Sequence, residues 1–366
     1  MRFRRRVRSA ALTVLLVALA ACSGGDAPAA SSNSGTAAPT SSAAAAVTLT
    51  MLHIDGDSGL DPAVDWFAER VGELSNGALV ITPRFECCGS EVDVEQELVS
   101  KVAKGEAELG WVGARAFDEL GVTSLRALTA PMLLDSYAVQ QAVIEGDIAQ
   151  DALADLSATG IEAVTLLPGA MRHPISAPRP LIAPEDWAGL TIYVFHSQQN
   201  VQSVAALGAA PVELGFPERD AGISSGTIQG LENTFAFYAG HAGVDLPYAV
   251  ANVNLWPRIS VLVAAPDALT AEQRDILTQA ARETAAKSSD YAADDEKALS
   301  EACASASAQV ALATNEQLAA YRAAFEPVYS AIKADPAAIG LYDSVVSIKD
   351  QTKPDQALIL PTACGA

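Results

Sequence analysis

Residues 47–77, VTLTMLHIDGDSGLDPAVDWFAERVGELSNG, open the foldable part of the chain and set its class. Val47, Leu49 and Met51 alternate with Thr48, Thr50 and Leu52, a two-residue period that predicts a strand delivering His53, Ile54 and Asp55 to the loop Gly56-Asp57-Ser58-Gly59. Asp61 then caps a helix with Pro62 in its first turn. Val64, Phe67, Ala68, Val71 and Leu74 make one apolar face, and Gly77 ends it. Strand, loop and helix in that order are the unit of an α/β protein with mostly parallel sheets.

The alternation continues downstream. Strands are predicted over 79–85, 108–112 and 161–167, with a capped helix over 90–104 and helical patterns over 137–145 and 148–158. The second half repeats it: strand 190–195, helix 198–207, a short strand near 211–214, helix 217–225, and strands 227–231 and 258–264. Thr270-Ala271-Glu272-Gln273 is a capping box that opens a long Ala-rich helix running towards Cys303. Residues 315–332 read as a last amphipathic helix, with Leu318, Tyr321, Phe325 and Tyr329 on one stripe, and 334–366 have no strong period.

Upstream, Arg2, Arg4, Arg5, Arg6 and Arg8 precede an apolar run from Ala10 to Ala21, the form of an export signal. The run is shorter than the roughly 20 apolar residues of a membrane-spanning helix. Leu19-Ala20-Ala21-Cys22 resembles the lipobox of bacterial lipoproteins, which implies removal of residues 1–21 and a lipid on Cys22. Ser23–Ala46 holds only small and turn-forming residues and one charge, too little apolar area to fold. As a flexible coil it would hold the body about 25–30 Å from a membrane anchor.

With the five leader arginines removed, 18 basic residues face 44 acidic ones, a net charge of about −26 that argues against nucleic-acid binding. Cys87, Cys88, Cys303 and Cys364 form an even set in an oxidising compartment, so two disulfides are expected. A ring between adjacent cysteines is strained by the planar peptide, and each of Cys87 and Cys88 is therefore expected to reach Cys303 or Cys364. No C-x-x-C pair or nearby histidines give zinc-site spacing, and no metal or cofactor is expected.

Gly222-Ile223-Ser224-Ser225-Gly226 matches the hydrolase pattern G-x-S-x-G, and with His241 as base and Glu232 as its acid a serine-hydrolase reading can be written. The pattern needs a strand before the serine and a helix after it, whereas here a helix start precedes and a strand follows, so catalysis is not expected. There is no G-x-G-x-x-G, P-loop or H-E-x-x-H. His53, Trp111, Arg172, Tyr193, His196, Phe216 and Asn233 fall at or near predicted strand ends, where open α/β sheets bind ligands. Aromatic walls with a few orienting polar groups suit a small-molecule pocket.

Met171-Arg172-His173-Pro174, Arg179-Pro180-Leu181, Pro184-Glu185-Asp186-Trp187-Ala188-Gly189-Leu190 and Gly226-Thr227-Ile228-Gln229-Gly230-Leu231-Glu232-Asn233, in that order and spacing, resemble the DctP-type solute-binding proteins of TRAP (tripartite ATP-independent periplasmic) transporters. Similarity runs from about residue 47 to about 335. The resemblance implies a two-lobed, periplasmic-binding-protein-like α/β fold of type II with a long helix spanning both lobes, closing on a small organic solute. Lobe I would take 47–169 and 258–297, lobe II 170–257 and 298–350, and 351–366 would form a tail. Membrane permease subunits are the implied partners, and an ABC importer or a sensor would use the same fold. By the resemblance Arg172, Phe216, Asn233 and His196 match pocket positions, but Tyr193 stands where the family carries a carboxylate-clamping arginine. A tyrosine offers one hydroxyl and a ring face but no charge, which favours a neutral solute, an aromatic one, or a carboxylate held in an atypical clamp.

Overall fold

The first strand, β1 (Val47–Leu52), buries Leu49 and Met51 on one face and Leu52 on the other, so helices must cover it on both sides. The computed structural model describes residues 45–242, 244–353, 355 and 358–364; the leader, Cys22 and the linker up to residue 44 lie outside them. Helix α1 (Ala63–Leu74) buries Ala63, Val64, Phe67 and Val71, and the chain turns at Asn76 and Gly77, both with positive φ, into β2 (Leu79–Arg84), which lies parallel to β1. Helix α2 (Val94–Ala103) leads to β3 (Leu109–Gly113). The two pack so tightly that a Cβ at Gly110 would lie 2.6 Å from Leu98. The short α3 (Ala116–Glu119), then α4 (Tyr137–Glu145) and α5 (Ile148–Leu153), precede β4 (Glu162–Leu167).

A second sheet takes the middle of the chain: β5 (Met171–Ser176), β6 (Thr191–Tyr193), α6 (Gln198–Ala206), β7 (Ala210–Val212), α7 (Phe216–Ser225), β8 (Gly230–Asn233), α8 (Phe235–His241), β9 (Tyr248–Val250) and β10 (Trp256–Pro257). The chain then returns to the first sheet as β11 (Ser260–Ala264). Helices α9 (Ala271–Ala285) and α10 (Asp290–Cys303) are followed by β12 (Gln309–Ala311) on the second sheet, and α11 (Asn315–Ala324), α12 (Glu326–Ala334) and α13 (Ile339–Gln351) end the body. Strand order is β2-β1-β3-β11-β4 in the first sheet and β12-β9-β5-β8-β6-β7 in the second, with β10 paired to β5. The outgoing and returning crossovers run side by side: Arg258 N–H donates to the Ala170 carbonyl at 2.9 Å, and a Cβ at Gly169 would meet the Arg258 carbonyl oxygen at 2.0 Å. No helix among the described residues is long and apolar enough to cross a membrane.

Several sequence expectations need correction. The long helix from residue 270 is two helices, α9 and α10, broken at 286–289 because Leu277, Ala280 and Ala281 pack into the first-sheet core while Ala298, Leu299 and Ala302 pack into a second-sheet core. The helix expected over 315–332 breaks at Phe325, just before Pro327, which has no N–H to donate and sits in the first turn of α12. The helix expected over 90–104 starts only at Val94, because Ser90 instead accepts a hydrogen bond from Phe216 N–H. Helix α13, in the tail without a period, buries only Leu341 and Val345, a signal too thin to read from sequence.

The cysteines form two disulfides, but not the expected ones. Cys87 bonds Cys88, and Cys303 bonds Cys364. The expected pairing fails because the two sets belong to different cores: Cys87 and Cys88 pack with the first-sheet cluster around Leu98 and Val112, while Cys364 packs with Leu299 on the second. The Cys303–Cys364 bond spans 61 positions and staples the C-terminal residues to α10. Replacing Cys364 with Ser should therefore lower unfolding free energy by roughly 2–4 kcal/mol. Urea denaturation measures this, and a non-reducing peptide map should leave Cys87 and Cys88 on one peptide without a partner elsewhere.

Candidate functional site

Backbone and side-chain hydrogen bonds bring the loops after strands of both sheets to one seam. Phe216 N–H donates to the Ser90 carbonyl at 2.8 Å, and Gln96 Nε2 to the His196 carbonyl at 3.3 Å. Asp118, just after β3, accepts from Ser197 Oγ and Gln199 N–H at the start of α6. Phe195 follows β6 into this seam and is approached by two guanidinium groups, Arg115 at 3.8 Å and Arg172 at 5.0 Å from its ring centroid.

Each of these arginines is buried, and each already has an anion. Arg115, in the loop after β3, donates Nε and Nη2 to the two carboxylate oxygens of Glu95 at 2.9 and 3.0 Å. Arg172 on β5 donates Nε to the Glu232 carboxylate and Nη2 to the Glu232 carbonyl, the latter at 3.0 Å. Burial lowers the pKa of Arg172, with Arg115 and Arg258 pushing the same way and Glu232 opposing them. Arg258, at the return crossover, holds Asp55 at 2.6 Å and lies 3.8 Å from Asp61.

Around Asp61 lies a second, drier group. Trp111 Nε1 donates to Asp61 at 3.0 Å, and Tyr291 Oη at 3.3 Å. Burial pushes the Asp61 carboxyl up to about 6. His53 is fully buried 5.4 Å from the Phe85 ring, and its Nε2 has no hydrogen-bond partner among the described residues. Burial first, and then Arg258, lower its pKa to about 4.

The structure thus separates the residues that the sequence singled out. Arg172, Tyr193 and Phe216 gather about Phe195, and Asn233 ends β8 opposite His173, with its Oδ1 accepting from Thr234 N–H. His53 and Trp111 belong to the Asp61 group. His196 sits at the rim, 2.9 Å from Glu213, and with Glu119 these can bring three ligand atoms within 4.8 Å of one another. Sequence reasoning missed Arg115, Arg219, Phe195 and Glu95, and it did not assign Glu232 as the partner of Arg172. The sequence signal for Arg115 was its place in the loop after an apolar strand, and for Arg219 its place in a helix start. Tyr193 is 3 % exposed, and burial pushes its hydroxyl pKa up to about 12. A cavity of about 450 Å³ opens elsewhere, lined by Ser58, Pro62, Ala170, Thr234, Tyr291 and Asp294 among others, and neither Arg172 nor Tyr193 lines it.

The hydrolase reading finds no support in this geometry. Ser224 lies exposed within α7 rather than on a strand-to-helix turn, His241 stacks on Phe237 with Nδ1 against the Phe237 carbonyl, and Glu232 is committed to Arg172.

Residues 58–335 match the family model of the bacterial extracellular solute-binding proteins, family 7, called DctP. The chain belongs to this family. Among DctP-related proteins, it is 24% identical over 171 residues to a solute-binding protein of Verminephrobacter eiseniae, covering 47% of this chain and 50% of that one. It is 25% identical over 167 residues to the C4-dicarboxylate-binding periplasmic protein DctP of Rhodobacter capsulatus, covering 46% and 49%. The matched stretches span about half the length of these curated relatives. A TRAP periplasmic solute-binding protein of Ralstonia eutropha H16 with bound (S)-2-acetolactate superposes with a TM-score of 0.70 at 19% identity, covering 83% of this chain and 99% of that one. One from Sulfurospirillum deleyianum with bound succinate gives 0.68 at 22%, covering 84% and 99%. The mixed α/β body with two sheets is therefore the two-lobed periplasmic-binding fold.

Two outcomes follow from the buried charges. Arg172→Ala strands Glu232 and should cost roughly 3–5 kcal/mol of stability, whereas Arg172→Met combined with Glu232→Leu should cost far less; urea denaturation checks both. His53, with its pKa depressed on folding from 6.5 to about 4, contributes stability that is present above pH 6.5 and lost as pH falls through about 4. Relative to wild type, His53→Gln should therefore gain about 3 kcal/mol between pH 6.5 and pH 4, read from denaturation curves across that range.

Proposed function

We propose that this protein is the extracytoplasmic solute-binding component of a TRAP-type secondary transporter, capturing a small organic solute between two lobes and delivering it to membrane permease subunits. The observation that carries this reading is the family match over 58–335, together with the arginine and aromatic groups that gather where the strand ends of both sheets meet. The two side-by-side, antiparallel crossovers at Gly169 and Arg258 suit a hinge, since few residues there need change φ and ψ for one sheet to swing against the other. A solute touching both sides would stabilise the closed form by differential contact, and the permease would recognise that form. Lobe I is assigned 47–169 and 258–297, and lobe II 170–257 and 298–325; residues 326–350, expected in lobe II, pack instead on the first-sheet cluster through Val328, Ile332, Leu341 and Val345. Structural neighbours were solved with succinate, β-D-glucuronate and D-erythronate bound, which supports a small organic acid as the solute class. The binding role needs no cofactor and no catalysis.

Cys22 is the proposed lipid attachment site, with residues 23–46 as the tether. Cys22→Ala should yield folded protein that leaves the membrane fraction, because the small-residue linker has no amphipathic face to hold it there. Retention of that variant in washed membranes counts against the anchor. For the solute, mass spectrometry of small molecules released by denaturing gently purified protein should find one organic species near stoichiometric amount. Adding that species back should raise the thermal midpoint.

A further inference from the structure

A guanidinium whose charge is already matched by a buried carboxylate is a poor clamp for a second one. Arg115 gives Nε and Nη2 to Glu95, Arg172 gives the same two atoms to Glu232, and Arg258 lies between Asp55 and Asp61. A solute carboxylate placed on any of them would add an anion beside a carboxylate already there, in a site with little water to screen the repulsion.

Arg219 differs. It lies one turn into α7 and is 13% exposed at its side chain, and its ion-pair partner among the described residues is Asp220, which is itself 57% exposed. That pair uses Nε alone at 2.8 Å, and a water-facing neighbour binds weakly. Nη1 and Nη2 make no hydrogen bond among the described residues. The guanidinium carbon lies 4.8 Å from the ring centroid of Phe216, 5.6 Å from that of Tyr193 and 5.7 Å from that of Phe237. Such a three-ring seat holds the cation by its face and leaves its edge donors for a ligand. The Tyr193 hydroxyl, buried beside it, likewise has no hydrogen-bond partner among the described residues.

We propose that Arg219 receives the solute carboxylate, with Tyr193 Oη as a second donor, and that the solute is a small monocarboxylate whose apolar body packs on the Tyr193, Phe216 and Phe237 rings. This rests on the reading that the seam binds a solute. Of these four arginines one is left without a buried counter-ion, so one carboxylate is matched; the second carboxylate of a dicarboxylate would face arginines that are already paired. The family's arginine at position 193 is thus replaced by a guanidinium that reaches the seam from α7 and is supported by the tyrosine ring.

Calorimetric titration of the full mature body with benzoate, phenylacetate, 3-methylbutanoate and succinate tests this in wild type, Arg219→Gln, Arg219→Lys and Tyr193→Phe. Wild type should bind at least one monocarboxylate ten-fold or more tightly than succinate. Arg219→Gln should lose ten-fold or more, Arg219→Lys should recover only part of that loss, and Tyr193→Phe should lose less than Arg219→Gln, with unliganded thermal midpoints unchanged. Wild-type affinity in Arg219→Gln overturns the role of Arg219. A wild-type preference for succinate, or no binding of any monocarboxylate, overturns the ligand class. In either case the molecule released from native protein decides separately whether the seam binds a solute at all.

Discussion

Arg172 takes a guanidinium into the second sheet, where only 2% of its surface meets water, and Glu232 on the neighbouring strand makes that position tenable. Removing either charge from water costs several kcal/mol, and mutual attraction offsets the cost only with close geometry and added hydrogen bonds. Both conditions hold here, because the same arginine also bonds the Glu232 carbonyl. The pair joins β5 to β8 at the level where the chain has just crossed from the first sheet, so strand register and crossover position depend on one another. Arg115 with Glu95 and Arg258 with Asp55 repeat the device on the first sheet, each tying a strand end to a different element.

These pairs leave three of the arginines near the seam already matched by carboxylates. Phe195 sits between Arg115 from the first-sheet side and Arg172 from the second, so the seam is joined by ring faces and guanidinium planes rather than by opposite charges across it. Direct hydrogen bonds across it, such as those from Phe216 to Ser90 and from Gln199 to Asp118, each contribute about 1 kcal/mol net. The Asp61 group differs in that Trp111, Tyr291, His53 and Arg258 converge on one buried carboxyl.

Local signals carried the early elements well. Val47–Leu52, with its two-residue period, and Ala63–Leu74, with Gly77 after it, lie where pattern put them, but Asp61, expected as the helix cap, instead accepts from Trp111 and Tyr291 and leaves Pro62 at the N-cap position. The capping box at Thr270 also forms. Signals failed where a helix serves two cores in succession, as at 286–289, or where only two residues are buried, as in α13. The cysteines show the same limit, since ring strain in a Cys-Cys pair is a local argument, while the separation of the two cores is not a property of any window of sequence.

The sequence by itself determined the α/β class, the family and the loops that reach the seam, because strand and helix periods and ordered motifs are written in consecutive residues. It also marked Tyr193 as a departure, since that position stands inside a motif. Tertiary structure alone decided which of these arginines is left without a buried carboxylate partner. Arg115, Arg172, Arg219 and Arg258 are equivalent as letters, and their difference arises from the buried carboxylates that folding brings beside three of them, whereas the fourth pairs only with the exposed Asp220. Charge state and donor availability depend on neighbours within a few ångströms, and those neighbours lie 20 positions away for Arg115, 60 for Arg172 and about 200 for Arg258.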